Sequence, residues 1–123
     1  MTAVRRAVAN NFSYCVSKHA VLGAMRALQQ DLFGSAVHTC CVCPGFTDTK
    51  MLRSETSGAP LNSDGTPEYI VPIVSAGRLM LPEEVARAVA FCSSNASVNG
   101  SVFHINLGQK QLWYAIVLVA PFC

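Results

Sequence analysis

The pattern that most constrains this chain lies between residues 14 and 45, where a proline-free helical run gives way to a short apolar run closed by two chain breakers. In residues 14–33 the apolar positions Val21, Met25, Leu28 and Leu32 recur every three or four residues, and Gly34 stands where such a helix stops. Residues 36–43, AVHTCCVC, have strand length and a β-branched, cysteine-rich content, and Pro44-Gly45 turns the chain abruptly. We read a buried strand entering a functional loop. Pro82 at a first helical turn, Glu83 and Glu84 at the positive end of a helix dipole, and Val85, Ala88, Val89 and Cys92 at helical spacing predict a second helix over about 82–93. After the Asn99-Gly100 turn, residues 101–106 read as a second strand. The order helix, strand, loop, helix, strand belongs to an α/β protein with a parallel sheet.

Two stretches are less regular. Residues 53–67 carry Ser, Gly, Pro, Asn and Asp without a sustained period, so 53–75 is predicted to be a mobile loop with one short helix. Residues 20–25 are apolar all round, which predicts that the first helix is covered on more than one side, by a sheet and by another subunit. The composition, 51% hydrophobic and 13% charged, is that of a chain that buries a core. A net charge of +2 without a basic cluster excludes nucleic acid as a partner. Residues 112–121 fall well short of the roughly 20 apolar residues of a spanning helix, so no transmembrane span is expected. The first residues show no secretory leader, so the six cysteines are expected as free thiols in a reducing, cytoplasmic setting.

The chemistry concentrates at Tyr14 and Lys18, four residues apart and therefore on one helix face. An ammonium beside a phenol stabilises the phenolate and lowers a pKa that is otherwise about 10, making tyrosine a proton donor and acceptor near neutral pH. In Tyr14-Cys15-Val16-Ser17-Lys18-His19-Ala20, Val42-Cys43-Pro44-Gly45-Phe46-Thr47-Asp48-Thr49, Arg78 with Pro82-Glu83-Glu84-Val85-Ala86, and Asn99-Gly100 before a strand, the chain resembles the second half of the short-chain dehydrogenase/reductase family. The resemblance runs from about residue 14 to residue 108. Within the family, Y-C-x-S-K-H followed by C-P-G-F-x-x-T is somewhat similar to the branch containing 15-hydroxyprostaglandin dehydrogenase.

The resemblance implies the C-terminal portion of a doubly wound, parallel-sheet Rossmann-like α/β fold, with residues 1–111 as the family domain's second half and 112–123 as an apolar tail. It implies hydride transfer between an alcohol or ketone and NAD or NADP. Tyr14 would be the catalytic acid/base; Lys18 would bond the nicotinamide ribose and lower the tyrosine pKa. Pro44 and Gly45 would turn the chain beside the nicotinamide. The Thr47 backbone would contact the carboxamide, and the Thr49 hydroxyl would face the cofactor phosphates or carboxamide. The family's glycine-rich phosphate turn and cofactor selector are not among these 123 residues, and its catalytic serine would fall on Met1 or Thr2. Asn106-Leu107-Gly108-Gln109 departs from the family's Asp-Gly-Gly. The expectation is a truncated, inactive chain that forms a homo-oligomer or pairs with a full-length relative through the 14–33 helix; the alternative is a non-catalytic or dominant-negative subunit. With an upstream strand missing, the 36–43 strand would expose an unpaired edge, and the uncharged, β-prone run 112–119 would add a strand, dock on a neighbouring subunit or be a non-native sequence from an altered reading or splice junction.

Other residues invite rival readings. Cys40 and Cys43 have C-x-x-C spacing, but on a strand they point to opposite faces, so buried structural thiols rather than a metal site are expected. His38 and His104 are the candidate histidines on neighbouring strands. His19 falls on a different helix face from Tyr14, as a surface or interface residue. Glu83 and Glu84 diverge around a helix and serve its N-terminus rather than hydrolysis.

Overall fold

The computed structural model describes residues 12–109 and 116–121. Helix α1 (Phe12–Asp31) is followed by strand β1 (Val37–Pro44), helix α2 (Lys50–Glu55), a 3₁₀ turn (Val71–Ile73), helix α3 (Pro82–Ser94), a second 3₁₀ turn (Ala96–Val98), strand β2 (Val102–Ile105) and strand β3 (Ile116–Pro121). The sheet order is β2-β1-β3. β2 runs parallel to β1, with Cys41 opposite Val102 and Pro44 opposite Ile105, while β3 runs antiparallel, with Val37 opposite Pro121 and Val42 opposite Ile116.

β1 is buried along nearly its whole length, which is why its sequence reads as a continuous apolar run and not as an alternation. Its odd residues Cys41 and Cys43 pack under Leu22 and Met25 of α1, and its even residues Cys40 and Val42 pack under Ala88 and Cys92 of α3. Met25 is fully buried, which contributes about 1.5 to 3 kcal/mol relative to an exposed side chain. On the α3 side, buried His38 donates from Nε2 to the Cys92 carbonyl at 3.0 Å. After α1, Gly34 takes a left-handed φ of 80°, and the chain reverses within residues 32–36 to enter β1.

The two predicted helices and two predicted strands are present with shifts of one or two residues at their ends. Two expectations change. The outer β1 edge, expected to be bare, is paired over six residues by β3, so the parallel pair gains an antiparallel third strand from the chain's own tail. Within this single chain the sheet covers one side of residues 20–25, burying Leu22 and Met25, while Ala20, Gly23 and Ala24 lie exposed on the side expected to meet another subunit. The stretch predicted as a loop with one short helix holds α2, a 3₁₀ turn and a small core of Phe46, Ile70, Val74 and Leu79. Arg53 organises its middle, bonding Asp48 through Nε at 2.7 Å and the Gly65 carbonyl through Nη1 at 2.5 Å. The apolar residues that do this are spaced across more than thirty positions, so no local period betrays them.

Candidate active site

Tyr14 stands in the first turn of α1 and is half-buried, as is Lys18 one turn later. The Lys18 ammonium lies over the Tyr14 ring, 5.4 Å from its centroid. At that distance a cation is held by the ring's quadrupole and also adds positive potential at the phenol. His19 points elsewhere and donates from Nδ1 to the Cys15 carbonyl at 2.7 Å, as a surface residue of the helix.

Tyr14 lies about 26 Å along α1 from Asp31, and β1 is about 26 Å long. Because the chain reverses between them and Leu22 and Met25 lie on Cys41 and Cys43, Tyr14 stands at the Pro44 end of β1. The catalytic candidates and the Pro44-Gly45 turn therefore share the carboxyl end of the sheet, where open α/β sheets bind ligands.

At that end the backbone is tightly specified. Gly45 donates its N–H to the Ile105 carbonyl at 2.9 Å, extending the β1–β2 ladder by one rung. A Cβ at Gly45 would lie 2.6 Å from Gln109 Oε1 and 2.9 Å from Asn106 Cα, so only glycine fits. The Phe46 N–H donates to Gln109 Oε1 at 3.0 Å, inside the protein. The Thr47 hydroxyl donates to the Gly45 carbonyl at 3.0 Å. Met80 N–H donates to the Phe46 carbonyl and Asp48 N–H to the Met80 carbonyl, both at 2.8 Å. In such a parallel bridge Thr47's own N–H and C=O point away from Met80. Thr49 caps α2, its Oγ1 accepting from the Leu52 N–H at 3.3 Å. Its hydroxyl keeps its own hydrogen to donate.

Sequence reasoning missed two members of this end. Gln109, buried at 7% exposure, stands out in the sequence only as a departure from a family pattern, yet it is the residue that holds the Gly45-Phe46 peptide. Met80 was unmarked because it acts through its backbone, which carries no side-chain signature. Charge is arranged around the site's approach. The Arg53 guanidinium beside Asp48 holds that carboxyl below its usual range. Arg78, 2.9 Å from Glu84, and then the Leu81 N–H bring the Glu84 carboxyl down to about 2. Glu84 thus serves the start of α3, as expected.

The metal reading of the cysteines and histidines does not assemble. Cys40 and Cys43 lie in cores on opposite faces of β1. His104 is level with Cys43, five residues and about 16 Å along the sheet from His38. Met1 and Thr2, the positions for a catalytic hydroxyl, lie outside the described residues.

Comparison with known proteins agrees with this architecture. A family model described as enoyl-(acyl carrier protein) reductase matches residues 1–110. The short-chain dehydrogenase fogB of Aspergillus ruber is 37% identical over 97 residues, 77% of this chain and 34% of that protein. The acetoacetyl-CoA reductase of Rhizobium meliloti is 35% identical over 99 residues, 79% of this chain and 39% of that protein. Among solved structures, the actinorhodin polyketide ketoreductase with NADPH superposes with a TM-score of 0.70 at 28% identity, covering 85% of this chain and 43% of that one. BdcA in complex with NADPH gives 0.70 at 26%, covering 89% and 43%. The chain belongs to the short-chain dehydrogenase/reductase family, a family of oxidoreductases. It spans roughly two fifths of the length of these relatives. Among the described residues no helix is long and apolar enough to cross a membrane.

Proposed function

We propose that this chain carries the acid/base and nicotinamide-facing part of an NAD(P)-dependent oxidoreductase that interconverts an alcohol and a carbonyl. The observation that carries this reading is the Lys18 ammonium over the Tyr14 ring, at the end of the sheet where Gly45 and Thr47 shape a turn. Two relatives of the same fold are known with NADPH, and at the sheet end the Thr47 N–H and C=O are left unused by the Met80 bridge. Bound nicotinamide supplies the hydride acceptor or donor. Tyr14 Oη gives a proton to a carbonyl oxygen or takes one from an alcohol. Lys18 favours the phenolate by its charge and offers ammonium donors to ribose hydroxyls. Pro44 and Gly45 shape the floor, Thr47 offers its peptide to the carboxamide, and Thr49 offers its O–H to the carboxamide or a phosphate.

These 123 residues contain no G-x-x-x-G-x-G, so the pyrophosphate of a dinucleotide must be held by other residues for turnover to be efficient. We expect this chain alone to show little dehydrogenase activity. When it is fused behind the N-terminal half of a related ketoreductase, nicotinamide-dependent turnover should appear, and Tyr14→Phe should lower it about 10² to 10⁴-fold. Turnover unchanged by Tyr14→Phe would remove the tyrosine from its role.

A second reading rests on the outer face of α1. Val16, exposed at 52%, shares that face with exposed Ala20, Gly23 and Ala24, opposite the face that holds Leu22 and Met25. A second copy, or a longer relative, would bury this face, giving a homo-oligomer or a non-catalytic partner subunit. Saturable nicotinamide binding by calorimetry favours the enzyme; its absence together with dimerisation lost in Val16→Glu favours the subunit. Cys40, Cys41, Cys43 and Cys92 are buried in the cores on either side of β1, and we place the chain in the cytoplasm, where such thiols stay reduced.

A further inference from the structure

We propose that β3 pairs with the β3 of a second copy of this chain, antiparallel about a two-fold axis at Leu118, so that two sheets join edge to edge into one. The inference does not depend on the dehydrogenase reading. It rests on which way the backbone of β1 faces. Cys41 N–H donates to the Ser101 carbonyl, Gly45 N–H donates to the Ile105 carbonyl, and the Thr39 carbonyl accepts from Gly100 N–H, so the odd residues of β1 turn toward β2. His38, Cys40 and Val42 therefore turn toward β3, where they stand opposite Ala120, Leu118 and Ile116. Those pairs use the β3 groups that face inward. The N–H and C=O of Val117 and Val119, and the C=O of Pro121, face the other way. Among the described residues no strand lies beyond β3.

This edge matches a copy of itself. With the axis at Leu118, Val117 falls opposite the second copy's Val119, and Val119 opposite its Val117. Each pair exchanges both of its N–H···O bonds, so the outward donors and acceptors of the two valines are all used. Moving the axis one residue toward Pro121 would set Val117 against a proline and lose a donor. Pro121 itself sits on the outward side, where the β1 ladder asks for no N–H.

Nothing opposes the approach. Sheet edges are ordinarily guarded by charge or by shortness, and residues 116–121 carry no charge to repel a second copy. β2, at the other end of the sheet, is only four residues long, so the pairing closes at two copies as an isologous dimer. In that dimer β1 and its counterpart lie three strand spacings apart, about 14 Å. Helices packed side by side need about 8 to 10 Å. Both helices therefore clear their counterparts, since α1 is seated on β1 through Leu22 and Met25 and α3 through Ala88 and Cys92.

Sedimentation velocity on the full chain, from low to high micromolar concentration, should show one chain passing to two and no larger species. Over the same range hydrogen exchange at the Val117 and Val119 amides should slow by about tenfold or more, while Leu118 and Ala120 stay slow throughout. This readout needs no substitution. Val119→Pro deletes an outward N–H and leaves those that face β1, so it should weaken dimerisation by about 100-fold and keep the cooperative thermal transition. Val16→Glu, on the open face of α1, should dimerise like the unaltered chain. A chain that stays monomeric, one that grows past two copies, a dimer whose Val117 and Val119 amides exchange fast, or dimerisation lost in Val16→Glu but kept in Val119→Pro would overturn the proposal.

Discussion

Along its β2 edge, β1 makes a four-residue parallel ladder that continues into the Gly45 turn, whereas along its β3 edge it makes a six-residue antiparallel ladder with an uncharged tail. The β2 edge ends in the candidate site. There Gly45, Phe46, Asn106 and Gln109 meet, and side chains as well as backbone fix the geometry. Along the β3 edge six residues of β1 pair with residues 116–121, IVLVAP, a sequence without an ionisable group. One edge thus positions chemistry and the other closes the fold. A strand buried on both faces needs both, since an unpaired N–H or C=O next to an apolar core is costly.

Removing residues 112–123 is the strongest way to break this comparison. It strips six residues of β1 of their antiparallel partners, and the chain should lose cooperative thermal unfolding and aggregate at micromolar concentration, as read by light scattering. A monodisperse, cooperatively melting product would show that β3 is dispensable and that the β2 edge and the two helices suffice.

Gly45→Ala tests the other edge. Its Cβ would meet Gln109 Oε1 and Asn106 backbone, so it should destabilise by about 1 to 3 kcal/mol in denaturant titration while leaving the β1–β3 amides slow to exchange. Gln109→Met should cost about 1 kcal/mol. It removes the acceptor of the Phe46 N–H, but it also removes Gln109 Nε2, which is buried without a hydrogen-bond partner among the described residues. Faster exchange at Phe46 alone is the expected signature. Unchanged exchange there would mean that Gln109 does not hold the turn.

The smallest effect is the dependence on acid. Glu84 has its pKa lowered on folding from 4.5 to about 2, first by Arg78 and then by the Leu81 N–H. A depressed pKa gives stability that is complete above the unfolded value and lost as pH falls from about 4.5 toward about 2. Asp48, lowered by Arg53, acts with the same sign. Both ion pairs lie on the segments that lead from the site turn into α2 and α3, and β3 has no charge. Between about pH 5 and pH 2.5, amide exchange should therefore rise in residues 46–84 before it rises along the β1–β3 ladder, after correction for intrinsic rates. Simultaneous loosening would mean that the two edges are one cooperative unit.

These regions also differ in what could be read from the chain. α1, β1, α3 and β2 announced themselves because their burial follows local periods and their ends carry Gly34, Pro44-Gly45, Pro82 and Asn99-Gly100. Tyr14 and Lys18 were legible for the same reason: four residues on a helix is a spatial statement. The 48–80 segment was not, because Phe46, Ile70, Val74 and Leu79 come together across long sequence separations. Nor was the role of Gln109, whose partner Phe46 is 63 residues away.

By itself, the sequence determined the local elements, the pairing of Tyr14 with Lys18 on one helix face, and the place where β1 must end. It did so because periodicity, capping and turn chemistry act between residues a few positions apart. Only the tertiary structure decided that the apolar tail joins the sheet as an antiparallel strand and that Gln109 holds the Gly45 turn. These depend on which distant backbone and side-chain groups remain unsatisfied once the local elements have packed, and no local pattern encodes that remainder.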